Sequence, residues 1–145
     1  MTPSPSTFRP LASLLLGAAL LTMPAALVGC DSASKIDIPA SASPNDLMSG
    51  YLGKLGDLNG LLSGVGSTGD AAAALPKAKD LVSGMGAYAE RLTGLPTAQL
   101  DGVLQQFGPQ LDSLTGALDS QVARLSQSSY GSTLASALKS VPRLR

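Results

Sequence analysis

From Asp46 onward, apolar side chains recur at spacings of three and four, and no stretch alternates residue by residue as a half-buried strand would. The pattern predicts an all-α protein. Met48, Tyr51, Leu52, Leu55, Leu58, Leu62 and Val65 form a first stripe, which places a helix over about 46–64 with Asn45 or Asp46 as N-cap behind Pro44. Gly64, Gly66 and Gly69 interrupt it. A second stripe, Ala71, Ala74, Ala78, Leu81, Met85, Tyr88 and Leu92, predicts a helix from Asp70, its expected N-cap, to about Leu92. Because Pro76 lies inside it, either 71–75 forms a separate turn or the helix begins near Pro76. Gly94-Leu95-Pro96 closes this unit.

The third segment carries Leu100, Leu104, Phe107, Leu111, Leu114, Leu118 and Leu125 at alternating spacings of four and three, with Gln121 in the vacant place. Such a heptad seam favours antiparallel or coiled-coil packing. Gly108-Pro109 cuts across the seam, and a helix stop followed by a restart is expected there, so that two helices meet at the pair. After a loop over 126–131, a short helix over about 132–141 presents Leu134, Leu138 and Val141 and ends at Pro142. The expected domain, 45–145, is a small helical bundle of about four helices.

Residues upstream follow a different rule. The stretch 30–44 is rich in Ser, Ala and Pro, has no helical period, and is expected to be a flexible tether. Before it, residues 11–28 are almost uniformly apolar and follow a short region bearing Arg9, so 1–29 reads as an export signal. The run is near the lower length limit for a membrane span, and Pro24 interrupts its last turns.

The apolar run closes on Leu27-Val28-Gly29-Cys30. This resembles the lipobox of bacterial lipoproteins. The resemblance implies a diacylglyceryl group on the Cys30 thiol, cleavage between Gly29 and Cys30, and export to a bacterial membrane, inner or outer. Small residues before the cut let a peptidase approach the backbone, and a thiol is the strongest nucleophile among the side chains for alkylation. The only Ala-x-Ala site near the run, Ala40-Ser41-Ala42, lies beyond Asp31, Lys35 and Asp37, too far downstream for an ordinary secretory cut.

Composition narrows the function further. A chain of 145 residues suits one domain, and with 3% aromatic residues its core must be built from leucine and alanine. There is no His, and lipidation consumes the single Cys, which leaves no disulfide, no cysteine-based metal site and no common general base. No metal or cofactor is expected. A formal charge of zero argues against nucleic acid as a partner. Lys54, Lys77, Lys79 and Lys139 sit in no recognisable nucleophile motif, and Asp57, Asp80, Glu90, Asp101, Asp112 and Asp119 read as solvated faces and helix caps. A non-catalytic protein is expected.

One pattern remains unexplained by packing alone. Gly53, Gly56, Gly60 and Gly64 fall in one narrow sector of the first helix, turned away from its leucine stripe, at a spacing that resembles glycine zippers. Each interior glycine costs about 0.5–1 kcal/mol relative to alanine. These residues mark either a helix-packing face, for another helix of this chain or of a second copy, or compositional drift in a glycine-rich chain.

The function expected is therefore protein interaction or scaffolding in the bacterial cell envelope, with an envelope protein or a second copy as partner and acylated Cys30 as membrane anchor. The alternatives are a membrane-tethered carrier of an apolar ligand and a wall spacer. For the latter, the seam from Leu100 to Leu125 partly resembles the major outer-membrane lipoprotein, whose C-terminal Lys is replaced here by Arg143-Leu144-Arg145. Lys139, Arg143 and Arg145 either touch anionic headgroups or form a frayed terminus, and the frayed terminus is expected.

Overall fold

The computed structural model describes residues 36–144, and the export signal, Gly29 and Cys30 lie outside them. The described chain is all-α: α1 spans Pro44–Ser63, α2 Thr68–Thr93, α3 Thr97–Gln127 and α4 Ser132–Ala137, followed by one 3₁₀ turn, Leu138–Ser140. Among the described residues there is no strand.

Both long N-terminal helices begin on a serine that lies upstream of the expected cap. The Ser43 hydroxyl accepts from the Asp46 amide at 3.2 Å, while the Asp46 carboxylate accepts from the Ser43 amide at 3.1 Å. This reciprocal capping box starts α1 at Pro44, whose missing N–H is no loss in a first turn. At α2 the Ser67 hydroxyl accepts from the Asp70 amide at 3.2 Å and donates to the Asp70 carboxylate at 2.8 Å, and that carboxylate also accepts from the Gly66 amide at 3.2 Å. Asp46 and Asp70 thus support their caps from the third helical position. Hydrogen bonds from Ser43 and from Ser67 hold the two carboxyls below the usual carboxylate range. Their contribution to stability is complete above the unfolded-state value and fades as pH falls below it.

α1 supplies the centre of the core. Leu47, Met48, Tyr51, Leu52, Leu55, Leu58 and Leu62 are all buried, because α1 packs on α2 along one flank and on α3 along the other. A short loop sends α2 back along α1. α3 runs in the same direction as α1, since Asn59 Nδ2 donates to Leu114 O at 2.9 Å while Arg124 reaches the end of α1. The short α4 returns between α2 and α3. Gly131 makes that return possible, because a methyl group there would lie 2.5 Å from Leu125 O and 2.9 Å from Leu125 Cα.

Neither expected proline break occurs. α2 runs unbroken through Pro76, and α3 is a single helix through Gly108-Pro109 in place of two helices meeting there. Both prolines are exposed, and the carbonyls they leave without an N–H belong to exposed Ala72 and Gln105, which water can reach. An interior proline costs about 3 kcal/mol. Continuity keeps Leu111, Leu118 and Leu125 buried on one seam, and each is worth about 1.5–3 kcal/mol, so burial wins. The seam is narrower than its sequence suggests, because Leu100, Leu104, Phe107 and Leu114 are only half-buried.

Two further expectations are corrected at the chain ends. The expected tether is not free over its second half. Ile36 lies over Gly84 of α2, Ile38 packs against the core, and Arg91 donates to the carbonyls of Ile38 and Pro39 at 3.0 Å and of Ala40 at 3.1 Å. A guanidinium offers five donors in a fixed fork, enough to hold an extended backbone that has no ladder of its own. Nor is the C-terminus frayed over its described part. Val141 is buried, the Tyr51 hydroxyl donates to Pro142 O at 2.6 Å, and Arg143 pairs with Asp119 at 2.5 Å.

Candidate functional site

The candidate site is the side of α1 that its core stripe leaves uncovered. At 100° per residue, Ser49, Gly53, Gly56, Gly60 and Ser63 line up opposite Tyr51, Leu55, Leu58 and Leu62. A methyl group built on Gly53, Gly56 or Gly60 meets no atom within 4 Å, and one on Gly64 meets only Leu61 O, in its own last turn, at 3.7 Å. The four glycines read as either a helix-packing face or compositional drift therefore form one face, and no helix among the described residues covers it. α2 and α3 hold α1 by its flanks, where the large side chains are.

Close approach within the chain uses other glycines. The Tyr88 ring lies where a side chain at Gly50 would be, and Ile36 occupies the equivalent space at Gly84, with Lys54 Cδ 3.8 Å from it. These two positions escape a search for regular glycine spacing. Gly84 does carry a signal, since it shares a helical face with Leu81 and Tyr88, at offsets of three and four.

Charge around the open face is sparse. Asp57 is exposed beside it and Lys54 is half-buried on the flank towards α2. Arg91, Arg124 and Arg143 are engaged elsewhere. Arg124 donates to Val65 O at 2.8 Å and Leu62 O at 2.7 Å, capping the C-terminal end of α1 with the charge its dipole favours. Gln121 Oε1 orients that guanidinium from 3.0 Å. At Asp119, the Arg143 guanidinium holds the carboxyl below its ordinary range.

Of the residues weighed for catalysis, Lys54 is on α1, Lys77 and Lys79 are on α2, and Lys139 is in the terminal turn. Among the described residues no group of three or more His, Cys, Asp or Glu side chains is placed to hold a metal ion. No helix among them is long and apolar enough to cross a membrane. Surface clefts among the described residues are open to solvent. One of about 270 Å³ lies between Tyr51, Thr115 and Arg143, one of about 350 Å³ by Gly60 and Lys77, and one of about 410 Å³ by Asn45 and Gln106.

In comparisons with known proteins, no family model matches the chain, and neither does any curated protein or solved structure. What defines the site is the geometry of the open face of α1.

That geometry makes an immediate prediction. Gly53→Ala and Gly60→Ala each place a methyl group in open space within a helix, so each is expected to raise the unfolding free energy by about 0.5–1 kcal/mol. Urea denaturation of the two variants checks this. A loss of stability at either position would mean that the face is covered.

Proposed function

We propose that the protein is a non-catalytic, lipid-anchored module of the bacterial cell envelope that works by protein interaction through the open face of α1. The anchor part of this reading rests on Leu27-Val28-Gly29-Cys30 at the end of an apolar run. The interaction part rests on one observation. Gly53, Gly56 and Gly60 lower the stability of their own helix, and among the described residues none occupies the space they leave. A helix from an envelope protein or a second copy can approach such a backbone closely, and the flat stripe of Gly and Ser offers contact without side-chain ordering cost.

The double variant Gly56→Leu, Gly60→Leu tests the interaction. Both side chains enter open space and leucine favours a helix over glycine, so helical content and unfolding midpoint should equal or exceed those of the parent. Association, read by sedimentation and by crosslinking in envelopes, is expected to weaken at least about tenfold, a difference of roughly 1.4 kcal/mol. Undiminished association in a folded variant would overturn the reading. The anchor is tested separately by the intact mass of the matured N-terminus, which should begin at an acylated Cys30.

A further inference from the structure

The most consequential departure from a free tether is the strap formed by 36–42. Ile36 fills the space over Gly84, Ile38 packs on the core, and Arg91 binds three successive carbonyls, so the chain is fixed to α2 well before α1 begins. Fixing it there shortens any leash from Cys30. Were the chain free to Pro44, it could reach about 50 Å, longer than the largest helix, α3, at about 46 Å. Such a leash would allow the bundle any orientation. From Cys30 to Ile36 the reach is about 20 Å at most, less than half of that helix.

The position of the fixed point then matters. Gly84 lies about 14 Å along α2 from its end at Thr93 and about 24 Å from its start at Thr68. The end built from the α2–α3 connection, Gly94-Leu95-Pro96, with the start of α1, is the nearer one. The opposite end carries the α1–α2 and α3–α4 turns.

We infer that the strap gives the anchored bundle a fixed polarity on a lipid surface, with the α2–α3 connection towards the bilayer and the α1–α2 and α3–α4 turns away from it. This inference rests on the acylation of Cys30 proposed above. The open stripe of α1 then rises away from the bilayer, from Ser49 near the surface to Ser63 far from it. Arg91 acts here as a positioning residue.

Energy transfer from a dye on the full acylated protein to a headgroup acceptor, in vesicles of phosphatidylethanolamine and phosphatidylglycerol, tests the polarity. Thr97→Cys and Ser129→Cys carry the dye at exposed positions of the two ends. Transfer from Thr97→Cys is expected to exceed that from Ser129→Cys by about twofold or more, given ends separated by roughly the length of α3. Inserting about twelve Gly and Ser residues between Lys35 and Ile36 adds about 40 Å of reach while leaving the strap intact, and should remove the difference. Arg91→Ala should reduce it. Equal transfer from both positions, with Cys30 shown by mass to be acylated, would overturn the polarity and leave the anchor standing. An unmodified Cys30 would overturn both.

Discussion

Leu58→Ala is expected to lower the unfolding free energy by about 2–5 kcal/mol. Leu58 is 0% exposed and lies near the middle of α1, the helix on which both α2 and α3 pack. Truncation there removes the transfer free energy of the lost carbons and leaves a cavity between three helices. Those helices are held by leucine and alanine, with few large side chains able to collapse into the gap. For a domain of this size each kcal/mol corresponds to several degrees, so a fall in Tm of about 10 °C or more is expected. Calorimetry and urea denaturation check it, with an unchanged denaturant slope showing that the two end states are the same. Leu114→Ala serves as the comparison: Leu114 is half-buried on α3 and should cost clearly less. A Leu58 variant as stable as the parent would mean that α1 is not the centre of the core.

Cys30→Ser, exported behind a signal that carries an Ala-x-Ala cleavage site, is expected to leave the membrane fraction entirely. Each methylene buried in a bilayer contributes about 0.8 kcal/mol, so on the proposed anchor two or more acyl chains would outweigh any surface contact the bundle could make. Arg143 cannot substitute for the anchor, since it is paired with Asp119. No helix among the described residues has the length and apolarity to span a membrane. Fractionation of cells expressing the variant, with a high-salt wash, gives the answer. Persistent membrane association after the wash would show that the attachment does not depend on the Cys30 thiol.

Periodicity alone locates most of the fold, because burial imposes it directly. Met48, Leu55, Leu58 and Leu62 point to one side of α1 in the sequence and are buried on that side in the structure. The helix starts are less legible. Asp46 and Asp70 look like caps because aspartate favours that role, yet the caps are Ser43, which pairs reciprocally with Asp46, and Ser67, whose partner Asp70 accepts from the Gly66 amide. Pro76 and Pro109 mislead for a different reason. A proline's cost is local and can be read from the residue itself. The compensating burial of Met85 or Leu118 depends on where the other helices lie.

The candidate face shows the same division. That Gly53, Gly56 and Gly60 share one side of a helix follows from spacing, whereas whether anything covers them does not. Gly50 and Gly84, which do lie under neighbouring side chains, carry only faint sequence signals, since their need for a small side chain comes from Tyr88 and Ile36. The strap is the least legible element. Residues 36–42 read as linker from composition, and what fixes them is the reach of Arg91, a residue far away in sequence.

Arg124 carries a consequence for how the molecule is made. The carbonyls of Leu62, in the last turn of α1, and of Val65, just beyond it, accept from a guanidinium that follows them by about sixty residues in the chain. Synthesis or translocation from the N-terminus therefore delivers the first helix long before the group that finishes it. A polypeptide emerging in that order has its central helix unfinished until nearly all of α3 is present. Ribosome-stalled or truncated chains ending before Arg124 should accordingly be open to proteases, and full protection should arrive late and in one step.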